Sequence, residues 1–485
     1  MRNKFKKSEL RTDLVWSAAS AFIMALTVLA LTAVVARLIS AEEFATFAAL
    51  RSLSATLLSF VTASGGSYLI YSYSKDHKSA HYFSSLVITV LLSGCVTIIL
   101  FALDLPLLSD SGTLSIIPYF LAILLGVCSV RLYEGYLRGI GKPISANLVK
   151  LFLGAGLLWG VMISAFVHRS LDYMILYWAV GSFCVFILVA LLAYQCSVFR
   201  FENFTKQARS HLKWGLPRSP GGVLKGGMAT LGLFQSGQQD PSYAAVFAIG
   251  LYLIKLADAS LGAFRSTLTR FFSLDLEGSR EGKRSVGMIA LLIISWLGGG
   301  LISIEVYRYF DLIFALLGGG LVNLILDQPY VRFFSILIPI QLSFLFERPF
   351  VDVKFSRPIT AILLSLAISA QLGLYYLITQ FSDDYLFSSL FSYSFASLFL
   401  SVSMAIACML KVRKSIANPF LLVIKIAVFC FALIAIESSN FFADINPVSG
   451  WGAITIGLLF VAKCALLFVL VKSLFHHEAP YDLSR

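Results

Sequence analysis

Charged side chains are scarce in this chain: Asp, Glu, Lys and Arg make up 13% of its 485 residues, roughly half the share found in soluble domains. Hydrophobic residues reach 58%, which excludes an ordinary soluble globular protein and points to a polytopic membrane protein. Acidic residues are fewer than basic ones, 26 against 38, for a formal net charge of +12. In a soluble chain that excess would suggest nucleic acid. Here the cations gather in alternate loops, so the excess reads as membrane anchoring and no nucleic-acid partner is expected. The seven cysteines (Cys95, Cys128, Cys184, Cys196, Cys408, Cys430 and Cys464) lie in or beside apolar segments without CxxC or metal spacing, so neither a disulfide framework nor a metal site is expected. HExxH and GxSxG are absent. The run GSREGKRS from Gly278 to Ser285 is one residue short of a phosphate loop and carries Arg284 where Ser or Thr must follow the lysine. These absences leave no cofactor and no enzyme chemistry to expect.

What is present is a succession of apolar runs near the twenty residues a bilayer needs. About fourteen spans are predicted, at residues 15–38, 44–73, 82–103, 114–138, 146–166, 173–194, 214–234, 243–264, 286–304, 331–346, 359–379, 385–410, 419–436 and 451–474. The basic start MRNKFKKSELR runs into an apolar stretch of more than twenty residues with no small-residue cleavage site, which reads as a first membrane helix and not a cleaved signal. Residues 310–326 are apolar but glycine-rich, and are read as a surface-lying or re-entrant segment. Alternate loops hold clusters such as Lys75 with Lys78, Arg138 with Lys142, and Arg348 with Lys354 and Arg357, whereas 103–115, 235–242, 381–384 and 437–450 hold no Lys or Arg. The positive loops face the cytoplasm by the usual rule, so both termini are expected there. The outward loops are all short, which leaves no extramembrane domain for chemistry. A cytoplasmic linker at 195–213 divides the chain into a six-helix half and an eight-helix half, as a transporter built from two repeats would show.

A few ionisable residues lie inside these spans, where each costs at least about 2.5–3.5 kcal/mol unless it faces protein or water. The stretch 214–234, WGLPRSPGGVLKGGMATLGLF, carries Arg218 and Lys225 seven residues apart on one helical face. Two readings stand: Arg218 snorkels while Lys225 pairs with a neighbouring acid, or both face a cavity. Arg37 lies near the outer end of the first span and Arg51 some two turns into the second, and snorkelling accounts for both as well as a functional role does. Arg131, Glu134 and Arg138 are spaced three and four apart and stack on one face, as a self-neutralised cluster or a cytoplasmic gate. Lys255 and Asp258 are three apart and deep in the eighth span. They read as an intrahelical pair, or as a coupling site in which Asp258 exchanges between Lys255 and Lys225.

Several short stretches carry a family likeness. Ala36-Arg37-Leu38-Ile39-Ser40-Ala41-Glu42-Glu43-Phe44, the pair Gly65-Gly66, Leu137-Arg138-Gly139-Ile140-Gly141-Lys142-Pro143, Gly215-Leu216-Pro217-Arg218-Ser219-Pro220-Gly221, and Glu347-Arg348-Pro349 through Ser356-Arg357-Pro358 together resemble the bacterial oligosaccharide flippases. These are Wzx-like polysaccharide biosynthesis proteins of the multidrug/oligosaccharidyl-lipid/polysaccharide exporter superfamily. Ala45 stands where that family usually has glycine, and the second half is poor in the acids that the drug-exporting branch uses for ion coupling. The resemblance implies an all-α protein with two six-helix bundles around a central cavity and two further C-terminal helices, divided at 1–200, 201–413 and 414–485. It implies a flippase of the bacterial inner membrane that moves undecaprenyl-diphosphate-linked oligosaccharide by alternating access, with a polysaccharide polymerase and assembly proteins as partners. Arg37, Arg218, Lys225 and Lys255 would then meet the diphosphate. The competing expectation is an ion-coupled exporter of cationic drugs, whose cavity should be acidic. A polymerase-type membrane enzyme would need the long outward loop that the chain lacks.

Overall fold

The computed structural model describes residues 7–76, 80–103, 116–195, 203–254, 279–319, 328–355 and 359–412. The described chain is helical, with no strand. Backbone hydrogen bonds in hydrocarbon must be met within the segment, so helices follow directly from the apolar runs. In chain order these are α1 (Lys7–Leu38), α2 (Ala41–Val61), α3 (Gly65–Asp76), α4 (Ala80–Leu103), α5 (Ile116–Gly139), α6 (Pro143–His168), α7 (Leu171–Gln195), α8 (Phe204–Gly215) and α9 (Ser219–Ser236). They continue as α10 (Pro241–Ile254), α11 (Ser279–Arg308), α12 (Phe310–Gly318), α13 (Leu337–Lys354), α14 (Ile359–Thr379) and α15 (Tyr385–Val412). Nine described helices, counting α2 with α3 as one, are long and apolar enough to cross a membrane. They coincide with predicted spans one to six and ten to twelve. The two last predicted spans lie outside the described residues. α12 has nine residues and is roughly 13.5 Å long, less than half the hydrocarbon thickness. Large apolar side chains such as Phe152, Val167 and Leu91 stand 74%, 67% and 64% exposed, as expected of faces that meet lipid.

Helices up to α8 pack mainly on one another, as do those from α9 onward, and the two sets meet chiefly where α2 lies against α9. That seam is antiparallel and in strict register. Thr230 Oγ1 is 2.9 Å from Ser52 Oγ and 2.8 Å from Thr56 Oγ1. A β-carbon at Gly226 would lie 2.7 Å from Thr56 Cα, and one at Gly222 would collide with the Ser59 side chain. Gly222 and Gly226 thus form a GxxxG face, the spacing that lets two helices approach closely in a membrane.

The sequence reads residues 44–73 as one span and 214–234 as another, and the structure breaks both. Ala63 and Ser64 adopt left-handed conformations, φ 43° and 55°, and separate α2 from α3. Each such residue costs roughly 1–2 kcal/mol without compensation. The compensation comes from α8. His211 is buried, its Nε2 lies 3.1 Å from the Ala63 carbonyl oxygen and its Nδ1 3.0 Å from Ser85 Oγ, and its ring stacks on Tyr68 at 4.5 Å. Gly215 completes the fit, since a β-carbon there would collide with the Ala63 carbonyl. The seventh span therefore starts late: α8 ends at Gly215, Leu216–Arg218 form a 3-10 turn containing Pro217, and α9 begins at Ser219.

Candidate functional site

Because α9 starts at Ser219, Lys225 lies roughly 9 Å into the helix. Arg218 is not on the same helix. It is exposed at the mouth of the seam, donates from Nη1 to the Trp214 carbonyl at 2.8 Å, and sits 4.4 Å from the centre of the Trp214 ring. Lys225 directly precedes Gly226, and successive residues of a helix point roughly 100° apart around its axis. While Gly226 faces α2, Lys225 therefore turns toward α13. Its Nζ lies 4.7 Å from the centre of the Phe344 ring, and the guanidinium carbon of Arg348 lies 6.0 Å from the same centre. Phe344 is buried at 2% exposure, so one aromatic ring serves two cations, an arrangement worth up to about 2 kcal/mol per cation when desolvated.

Arg348 Nε also donates to Asp352 Oδ2 at 3.3 Å, and Thr360 Oγ1 donates to Asp352 Oδ1 at 2.7 Å. This ties the arginine toward the end of α13. Glu347, fully buried, accepts from the Ser343 hydroxyl through Oε1, while Oε2 has no hydrogen-bond partner among the described residues. On the other side of the seam Arg51 lies 4.8 Å from the centre of the Tyr252 ring, and its Nη1 is buried without a hydrogen-bond partner among the described residues. Polar contacts also hold α14 to α9. Gln371 Nε2 donates to the Met228 carbonyl at 3.1 Å, and the Tyr375 hydroxyl is 3.2 Å from the Gln235 carbonyl and 2.8 Å from Gln238 Oε1 in the turn that follows α9. Three cations thus lie along or beside the seam: Arg51 on α2 against Tyr252, and Lys225 with Arg348 at Phe344 on the α13 side of α9, while Glu347 lies on α13 and Arg218 is exposed just before α9.

The other residues singled out by sequence are placed elsewhere. Arg37 donates from Nη2 to the Leu316 carbonyl at 2.9 Å and to that of Ala315 at 3.5 Å, where it offsets the partial negative charge at the C-terminal end of α12. Glu134 is buried at 6% exposure and accepts from Arg131 Nη1 at 2.7 Å and from Arg138 Nε at 3.2 Å. Arg138 Nη2 goes on to Asn147 Oδ1 at 2.8 Å, and Asn147 Nδ2 to Ser17 Oγ at 3.2 Å, so the triad knots α5, α6 and α1 together. Lys255 and Asp258 lie outside the described residues. Sequence reasoning missed Phe344 and Tyr252 because an aromatic in an apolar run carries no signal of its own. The spacing Gly222-x-x-x-Gly226 is the signal in the sequence that marks the seam.

No family model matches the sequence, and no curated protein matches it. Solved structures do. A MATE protein in complex with MaL6 aligns at a TM-score of 0.58 and 13% identity, covering 84% of this chain and 97% of that one. The outward-facing conformation of a multidrug resistance MATE family transporter of the MOP superfamily aligns at 0.58 and 15%, over 85% and 99%. The chain has the MATE transporter fold. A third structure, a MOP superfamily transporter from Pyrococcus furiosus for which reverse polarity of the binding pocket suggests a different function, aligns at 0.54 and 16%, over 85% and 99%.

Proposed function

We propose that this chain is a membrane transporter that translocates an anionic, lipid-linked oligosaccharide, of the undecaprenyl-diphosphate class, across the bacterial inner membrane by alternating access. The observation that carries the reading is the cationic seam: Lys225 and Arg348 on one buried ring, and Arg51 with an unmet buried donor, at the contact between the two halves. A diphosphate supplies acceptors for such donors, and charge-assisted contacts with it strengthen in a low-dielectric cleft, while a polyprenyl tail can stay in lipid. The MATE fold supports the transporter class, since a solved relative is outward-facing. The likeness to a MOP transporter with a reverse-polarity pocket supports a change of substrate charge within the fold.

Purified protein in proteoliposomes, assayed for translocation of a polyprenyl-diphosphate oligosaccharide, tests this. Lys225→Gln should express normally and lose about ten- to a hundredfold in transport at limiting substrate, with Lys225→Arg partly active. Normal transport by Lys225→Gln would sink the role of Lys225. One feature favours the rival reading, an ion-coupled exporter of cationic drugs: the buried carboxyl of Glu347. That reading requires efflux of a cationic dye that Glu347→Gln abolishes, together with no movement of the lipid-linked sugar.

A further inference from the structure

On the first half of the molecule, away from the seam, α5, α6 and α7 line an open-sided cavity of about 530 Å³ bordered by Tyr133, Tyr136, Ile140, Lys142, Ser145 and Leu192 among others. This is within the size range of small-molecule sites. Its deep wall is an aromatic cluster in which Tyr136 meets Tyr73 at 5.2 Å, Tyr82 at 5.5 Å and Tyr133 at 5.9 Å between ring centres. Its other wall is aliphatic. Lys142 is its one charged lining residue, and lies in the turn between the spans Pro118–Gly139 and Pro143–His168, at the level where hydrocarbon gives way to headgroups. The positive-inside pattern assigns that turn to the cytoplasmic leaflet. Ile144 and Leu148, on the neighbouring face of α6, are 39% and 37% exposed, so the cavity borders surface that faces acyl chains. No acid lines it. Three more cations, Arg131, Arg138 and Lys150, surround the single buried carboxylate of Glu134 on adjoining faces of α5 and α6, which leaves this end of the bundle with an excess of positive charge.

We propose that this cavity holds the headgroup and upper chain of one anionic glycerophospholipid of the inner leaflet, with its phosphodiester at Lys142 and Ser145 and its acyl chain along Ile140, Val149 and Leu192. A cation and a hydroxyl at the rim suit a phosphodiester, and the apolar wall suits a chain. A soluble anion would leave the apolar wall in contact with water. Basic pockets between helices on the cytoplasmic side are suited to anionic headgroups by the same physics. The site is independent of the transport reading above, because none of its residues belongs to the seam.

The test uses the full chain in phosphatidylcholine nanodiscs doped with a photoactivatable phosphatidylglycerol, with cross-linked peptides mapped by mass spectrometry. Adducts should concentrate between residues 133 and 149 and at 192. They should fall about fivefold in Lys142→Gln, stay near wild type in Lys142→Arg, and vanish in Leu192→Trp, which fills the apolar end. Lys142 is exposed, so its replacement leaves packing intact, and monodispersity of each variant is checked first. Equal labelling by a photoactivatable phosphatidylcholine, undiminished labelling in Lys142→Gln or Leu192→Trp, or displacement of the probe by inorganic phosphate would each overturn the assignment.

Discussion

Replacing Gly226 by alanine inserts a single methyl group into the seam between α2 and α9, and its effect can be worked out from the structure. The new β-carbon would lie 2.7 Å from Thr56 Cα and 3.0 Å from Thr56 Cβ, where carbons in contact prefer about 3.5–4.0 Å. The two helices must therefore part by roughly 1 Å. Overpacking of this kind costs about 1–3 kcal/mol, and it is felt only while the seam is closed. Alanine also favours α9 by about 1 kcal/mol over glycine, but that gain is the same whether the seam is open or closed. Thermal stability should then change little, while the closed state loses about five- to 150-fold in population relative to open ones. Pulsed electron paramagnetic resonance between spin labels at Lys206→Cys in α8 and Leu410→Cys in α15 reports that change as a shift toward longer distances. Gly227→Ala is the control, because its β-carbon would only touch Ile368 Cδ1 at 3.8 Å. Identical distance distributions for both variants and the parent would refute the account of the seam as a close-packed contact.

Three further outcomes are expected. Glu134→Gln removes the acceptor of Arg138, which is largely buried but keeps its bond to Asn147, while the half-exposed Arg131 can turn to water, so it should destabilise the first half by about 1–3 kcal/mol, seen as a lowered melting temperature in detergent. Burial pushes His211 down from 6.5 to about 4; the unfolded chain takes the proton first as pH falls, so stability of at most about 3 kcal/mol is present above pH 6.5 and lost between about 6.5 and 4. A thermal scan against pH should show that loss, and a flat profile across the window would contradict the buried neutral imidazole. Arg37→Gln should speed amide exchange at the end of α12 about two- to fivefold with transport intact, and a transport defect at normal exchange would instead place Arg37 on the substrate path.

Much of the helical layout was legible because hydropathy alone dictates it: α4, α5, α7, α14 and α15 fall where the apolar runs do. The local triad was legible too, since spacings of three and four residues bring Arg131, Glu134 and Arg138 together on any helix. Its continuation to Asn147 and Ser17 was not, because those partners depend on how α1 and α6 are packed. The breaks at Ala63–Ser64 and Gly215–Arg218 escaped for a related reason. Each is stabilised by the other through His211 and the Ala63 carbonyl, 148 residues apart, and neither local sequence encodes that meeting. For the site, Lys225 stood out as a cation in an apolar helix, whereas the ring it rests on and the second cation sharing that ring required the fold.

The register of the seam limits how the halves can move. Gly222 faces Ser59, Gly226 faces Thr56, and Thr230 bonds to both Ser52 and Thr56, so α2 and α9 mesh like two racks of teeth. A slip of one residue, about 1.5 Å along the axis, would drive side chains into notches that admit only hydrogen. Sliding one half past the other, as a piston would, is therefore blocked at the first step. Separation remains open, with the teeth lifting out one after another from one end. The kinematics written into these few small residues is that of a rocking pair.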